Sequence, residues 1–134
     1  MASIVSYQKS ITRLTTIMLN APEGSTELCT IDGTTYVSIP DGEAINMEQH
    51  EHVLKTLDSP ALDAEMIDKI CNASPHVALI RERVRAMIED HYSIYDEIKL
   101  LRTAPSPEFE AYNEHAEHCR QWGREQKALL GLEL

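Results

Sequence analysis

Short apolar runs separated by turn residues occupy the first part of the chain and predict β-strands. The segments ASIVSY and ITRLTTI are rich in β-branched residues, which favour a pleated surface, so we expect a hairpin across residues 8–10. The same stretch also has apolar residues at helical spacing: Ile4, Tyr7, Ile11, Leu14 and Met18. A second hairpin joins TELCTI to TYVSI at Asp32-Gly33, where glycine accepts the positive φ of a tight turn. The pattern therefore predicts about four short antiparallel strands.

Ser-Pro pairs recur in the second part of the chain and predict the starts of helices. A connector over residues 43–58, which could contain a helical turn, precedes this part. A serine hydroxyl before a proline satisfies an unpaired N–H of a first helical turn, and the proline supplies a suitable φ. Three such pairs occur: Ser59-Pro60, Ser74-Pro75 and Ser106-Pro107. Ser93, with Asp96 three residues later, resembles a capping box. These signals predict four helices.

Apolar residues at helical spacing give each predicted helix one apolar face. The first three faces comprise Leu62, Met66 and Ile70; then Val77, Ile80, Val84, Met87 and Ile88; then Ile94, Ile98 and Leu101. The last comprises Phe109, Tyr112, Ala116, Cys119, Trp122 or Gly123, Gln126 and Leu130. We expect the first three helices to end near Asn72, His91 and Pro105, and the last to end at Gly131. We expect the face of the third helix to point inward.

The order of these elements predicts an α+β fold, with a small N-terminal antiparallel β-sheet followed by four α-helices. We expect a β-rich module with its connector over residues 1–58 and a helical module over residues 59–134. A chain of 134 residues is in the usual range of a single domain, so the two modules should form one compact unit. A short link at residues 103–105 suggests that the last two helices form an antiparallel hairpin.

Composition and charge exclude several classes of protein. Hydrophobic residues make up 43% of the chain and charged residues 25%, as in an ordinary globular protein. The formal net charge of -10 repels phosphate groups, so we expect neither nucleic acid nor an anionic membrane as partner. The sequence has no apolar run that predicts a membrane span or a signal peptide. Its three cysteines form no C-x-x-C pair, which favours reduced, buried thiols in a cytoplasmic protein.

The residues that could carry chemistry do not form a recognised catalytic motif. Glu114, His115, His118 and Cys119 resemble a helical zinc site, but a buried Cys119 leaves only two ligands converging. His50 and His52 alternate within a connector, where such residues usually point into water. Glu-x-x-His pairs, a G-x-S-x-G turn and a glycine-rich phosphate loop are all missing from the sequence. We therefore expect no catalytic residue, metal or cofactor.

Two further sets of side chains could form binding surfaces. Arg81, Arg83 and Arg85 alternate on a helix beside acidic residues, which favours a solvated face over a phosphate site. Aromatic residues at helical spacing are more often core than recognition surface. Trp122 is the exception, because it lies at the margin of the apolar stripe and tryptophan there often anchors a partner.

Two segments have a distinctive order of motifs. The N-terminal one is SYQKSITRLTTI followed by APEGSTELCTIDGTTYVSIPDGEAI, in which a strand pair precedes an A-x-E-G turn and a hairpin ends in P-D-G. The C-terminal one is YDEIKLLRTAPSPEFEAYNEHAEHCRQWGREQKALLGL, in which a D-E-I helix precedes a helix with an aromatic and a basic pair. Together they resemble small proteins of bacteriophage tail-gene clusters, especially tail-fibre assembly chaperones, over most of the chain.

The resemblance implies a non-enzymatic protein that binds a tail fibre or other tail protein as an assembly chaperone in the host cytoplasm. It points to six positions of the helical hairpin that engage a partner or pack internally: Ile98, Leu101, Phe109, Tyr112, Arg120 and Trp122. The chain lacks the longer basic and aromatic tail of many fibre chaperones, which leaves a structural component of the virion tail as an alternative. A small metal-dependent enzyme is the alternative from another class. Homo-oligomerisation, and whether the N-terminal strands pair within or between chains, stay open.

Overall fold

A computed structural model describes residues 2–133 and has an α+β architecture, which confirms the predicted class. Over these residues the structure has three strands and five helices: β1 Ser3–Tyr7, β2 Thr26–Ile31, β3 Thr34–Ile39, α1 Glu51–Thr56, α2 Ala64–Ala73, α3 Pro75–Glu89, α4 Ile94–Thr103 and α5 Pro107–Leu129. One predicted strand is therefore missing from the described residues, and one helix, α1, was not predicted as a full element.

The three strands form an antiparallel sheet in the order β1-β3-β2. β2 and β3 form the hairpin predicted at Asp32-Gly33, and both turn residues have positive φ, 50° and 82°. β3 is the central strand because its other side pairs with β1, with Val5 opposite Val37. A register shift between Glu27 and Cys29 interrupts the β2 ladder. The N-terminal strands thus pair within the chain.

The first predicted hairpin is wrong. The segment ITRLTTI is not a strand, and residues 8–17 form a loop closed by an isolated bridge between Ser10 and Thr16. Residues 11–16 are all exposed, Ile11 and Leu14 included, so none of these six side chains contributes to the core. β1 instead gains a central partner, β3, whose residues 35–39 are all buried. Long-range burial therefore outweighs the local hairpin signal.

Contacts within the chain define two compact units. The first comprises Met1–Ala78 with Lys127–Leu134, and the second comprises Leu79–Gln126. The boundary expected after residue 58 coincides with neither limit, and the chain passes between the units within α3 and α5.

In the first unit, the sheet is buried on both faces. Ile4 and Tyr36 belong to a cluster with residues of α2 and with Leu132. Their strand neighbours Val5 and Val37 belong to a second cluster, which includes Val53 of α1. Since successive side chains of a strand point to opposite faces, this alternation places one apolar cluster on each side.

The observed first residues of the helices confirm two of the three starts predicted at Ser-Pro pairs. Ser59-Pro60 does not begin a helix; α2 begins at Ala64, where Asp63 Oδ1 accepts a hydrogen bond from Met66 N at 2.8 Å. The neighbouring Asp58 is held in extended backbone by two hydrogen bonds with Ser6, of 2.8 and 2.9 Å. The helix starts predicted at Pro75 and Pro107 are confirmed.

Candidate interaction surface on helix α4

The second unit has its own apolar core. Its buried residues are Ile88, Tyr112, Ala116 and Cys119, with Val84, Tyr92, Leu100 and Phe109 packed against them. Tyr112 therefore lies in this core, and Phe109 is half-buried beside it, their ring centroids 6.2 Å apart. Burial and the nearby Glu97 carboxylate raise the pKa of the Tyr112 hydroxyl. These two aromatic residues pack internally.

Helix α4 begins with the capping box that the sequence predicts. Ser93 Oγ accepts a hydrogen bond from Asp96 N at 3.1 Å, and Asp96 Oδ2 accepts one from Ser93 N at 3.0 Å. The hydrogen bond from the Ser93 backbone lowers the pKa of the Asp96 carboxyl. Asp96 and Glu97 lie in the first turn and Arg102 in the last, which matches the helix dipole. The start of α4 is thus locally determined.

The apolar face of α4 points away from the core, which contradicts the inward orientation predicted for it. Ile94 is 56% exposed, Ile98 45% and Leu101 61%. At 100° per residue these three side chains span about 60° of the helix, whereas Leu100 lies about 130° from their centre. Leu100 is the α4 residue that packs against the core cluster, and no residue of α4 is fully buried. The helix therefore contacts its unit by one narrow edge.

Tyr95 extends this surface and was missed by the sequence analysis. Its side chain is 83% exposed and lies on the helix beside Ile98. Its position next to the apolar stripe of a predicted helix could have identified Tyr95 as part of this surface. We call the surface formed by Ile94, Tyr95, Ile98 and Leu101 the α4 face. An exposed patch of this kind on a short helix is typical of a surface that another protein covers.

The remaining predicted positions lie on α5, away from the α4 face in the chain. Arg120 is exposed and forms an ion pair with Glu117 at 3.6 Å. Trp122 is half-buried and lines a shallow depression with Arg83, Met87 and Asp90. Among the six predicted positions, only Ile98 and Leu101 belong to the exposed apolar surface of α4.

The histidine and cysteine side chains of α5 form a contact, but its geometry is unfavourable for catalysis. His115 Nε2 lies 3.2 Å from the Met87 carbonyl oxygen and 3.7 Å from Cys119 Sγ. A carbonyl oxygen only accepts, so in the tautomer in which Nε2 carries the hydrogen this nitrogen donates to Met87 and cannot accept the thiol proton. Cys119 is also buried, which keeps a substrate away from the sulfur. A buried thiol in this position is poorly placed to act as a nucleophile.

Metal and thiol chemistry have no other evident site in the described part of the chain. Across residues 2–133 no group of three or more His, Cys, Asp or Glu side chains could hold a metal ion. Burial, followed by the nearby Cys71 and Glu27, raises the pKa of the Cys29 thiol, which makes it a weak nucleophile at neutral pH.

None of the helices in the described residues is long and apolar enough to span a membrane.

Comparison of the chain with models of known protein families, with curated protein sequences and with solved structures finds no match.

Proposed function

We propose that this chain is a non-enzymatic, protein-binding component of a bacteriophage tail, which engages a tail fibre or another tail protein as an assembly chaperone. The phage assignment comes from the order of motifs in the sequence. The observation that carries the binding role is the α4 face, where four large apolar side chains are 45–83% exposed on one ten-residue helix. Burying such side chains against a partner releases water from apolar surface, which favours association.

The distribution of charge supports the chaperone role. A chain that exposes apolar side chains risks aggregation, and a formal net charge of -10 opposes it by repulsion between copies. The α4 face is bordered by Glu97 on one side and by Lys99 on the other. A polar rim around an apolar centre is typical of a specific interface. Such a protein would act in the host cytoplasm while tails are being built.

Co-expression with candidate tail-fibre proteins from the genome that encodes this chain tests the proposal. We expect the fibre to become more soluble and to co-purify with the chain. Leu101→Glu should weaken binding at least about tenfold, because a carboxylate replaces a buried apolar contact. Leu79→Glu is the matched control, since Leu79 is 63% exposed against 61% for Leu101 but lies on α3. Equal binding by the two variants would exclude the α4 face, and no binding by the wild-type chain would overturn the proposal.

A second experiment separates an assembly chaperone from a part of the particle. Antibodies against the chain should detect it in lysates of infected cells but not in purified virions. Stoichiometric chain in washed virions would instead identify a structural tail component.

A further inference from the structure

A shallow depression in the second unit is formed by residues of α3 and α5. Its volume is about 440 Å³, and it is lined by Arg83, Ala86, Met87, Asp90 and Trp122. Asp90 continues the last turn of α3, because its N–H donates to the Ala86 carbonyl oxygen at 2.9 Å. At 100° per residue, Arg83, Met87 and Asp90 lie within about 60° of one another and form one stripe along the helix. Charges of opposite sign therefore lie at the two ends of this stripe, with Met87 between them and Trp122 on the α5 side.

Both charged residues of the depression are available to a ligand. Arg83 and Asp90 are exposed, and within residues 2–133 neither forms an ion pair. Seven residues of helix separate them by about 10.5 Å along the axis, so they do not neutralise each other. By contrast, Arg85 on the opposite side of α3 pairs with Glu82 at 3.1 Å.

The shape and composition of the depression favour a protein segment over a small molecule. Pockets for small molecules enclose most of the surface of their ligand, whereas this depression is shallow and open. Tryptophan and arginine are enriched among the residues that dominate binding between proteins. Methionine adapts its shape to different apolar side chains.

We infer that the depression binds an extended segment of a partner protein, in which an apolar side chain lies between an acidic and a basic one. The apolar side chain packs against Trp122 and Met87. The acidic side chain pairs with Arg83, and the basic one pairs with Asp90. This site shares no residue with the α4 face and does not depend on the proposed function.

The spacing of the charges sets the order of residues in the partner segment. Alternate side chains of an extended segment point to the same side, so the order acid-x-apolar-x-base presents all three side chains together. Their charged ends are about 13 Å apart along the backbone. The long, flexible side chain of Arg83 accommodates the difference from the spacing of about 10.5 Å on α3.

Trp122 is the only tryptophan of the chain, so its fluorescence reports directly on the depression. The probe is a blocked seven-residue peptide with glutamate, leucine and lysine at its second, fourth and sixth positions, and glycine or serine elsewhere. We expect a saturable change in the fluorescence of the purified full chain, with a dissociation constant on the order of 1 mM because so short a peptide makes few contacts. Glycine in place of the peptide's leucine should raise this constant at least about fivefold. Saturation-transfer NMR of the peptide provides a second measure, and no binding by either method would overturn the inference.

A charge exchange then tests how the segment is oriented. Arg83→Glu should raise the dissociation constant about fivefold, because repulsion between two carboxylates replaces an ion pair. A second peptide, with lysine in place of its glutamate, should bind Arg83→Glu more tightly than the first peptide does. Arg85→Glu is the matched control, since it makes the same change in net charge about 200° around α3, and it should not reverse the preference between the peptides.

Three outcomes would contradict the inferred site. Equal effects of Arg83→Glu and Arg85→Glu would show that the peptide responds only to net charge. An unchanged preference of Arg83→Glu for the first peptide would exclude the pairing with Arg83. Trp122 fluorescence that changes with the concentration of the chain alone would identify a second copy as the occupant.

Discussion

At the scale of single residues, Asp96 connects the start of α4 to the pH dependence of stability. Its carboxylate accepts a hydrogen bond from Ser93 N at 3.0 Å, while its own N–H donates to Ser93 Oγ. The ionised form is the better acceptor, so folding lowers the pKa of Asp96. The contribution of this group is present above the ordinary aspartate pKa of about 4 and is lost as pH falls through the lower folded value.

We therefore expect Asp96→Asn to lower the free energy of unfolding at neutral pH, with a difference from wild type that shrinks below about pH 4. Urea unfolding followed by circular dichroism across a pH series measures this difference. Ser93→Ala provides the comparison, because it removes the reciprocal bond without removing a titrating group. A wild-type to Asp96→Asn difference that stays constant down to about pH 2 would show that ionisation is not involved.

At the scale of elements, Gly123 determines how closely α5 approaches α3. A Cβ on Gly123 would lie 2.7 Å from Val84 Cγ2 and 3.8 Å from Ile80 Cγ2. Val84 is β-branched and holds one strongly preferred rotamer in a helix, so it cannot easily turn away. The apolar stripe predicted for α5 left Trp122 and Gly123 as alternatives; Gly123 is buried and Trp122 is half-buried.

Gly123→Ala should therefore destabilise the chain by about 1–2 kcal/mol, because the steric cost exceeds the roughly 1 kcal/mol that alanine gains in helix propensity. Equilibrium unfolding in urea measures the change. Val84→Ala removes the clashing methyl groups, so the double variant should be more stable than the sum of the single effects. Additive effects would mean that the two helices do not touch at this point.

At the scale of the whole chain, residues that follow α5 complete the core of the unit formed mainly by residues 2–78. Gly131 has φ 79°, and Leu132 N donates to the Lys127 carbonyl oxygen at 3.0 Å, which ends the helix. Leu132 is then buried in the cluster that contains Ile4 and Ile70. Ser38 Oγ also donates to the Leu130 carbonyl oxygen at 2.9 Å. The N-terminal sheet therefore depends on residues nearly a hundred positions away.

Leu132→Ala should lower the free energy of unfolding by about 2–4 kcal/mol, the usual cost of emptying a fully buried leucine site. Leu129→Ala is the matched control, since that side chain is 70% exposed, and it should change stability by less than about 0.5 kcal/mol. Chemical denaturation compares the two variants. Similar effects of both substitutions would contradict the placement of Leu132 in the core.

Features set by neighbouring residues could be predicted from the sequence. The Asp32-Gly33 turn, the Ser93 capping box and the Gly131 stop each involve atoms a few residues apart, so the residue types alone determine them. The α+β class follows for the same reason, because it needs only the order of strand and helix signals. Ile98 and Leu101 were identified as apolar positions of one helix face, which is again a local property.

Only the tertiary structure decided which segments meet. β1 pairs with β3 and not with the adjacent ITRLTTI, since strand pairing is settled by the total area buried and not by proximity in sequence. Helical spacing shows that Ile94, Ile98 and Leu101 share a side, but not whether that side meets the core. Leu100 is the side chain of α4 that packs against the core, and the stripe of Ile94, Ile98 and Leu101, which was predicted to be internal, is exposed. Periodicity defines a helix's faces, whereas their orientation depends on packing with distant residues.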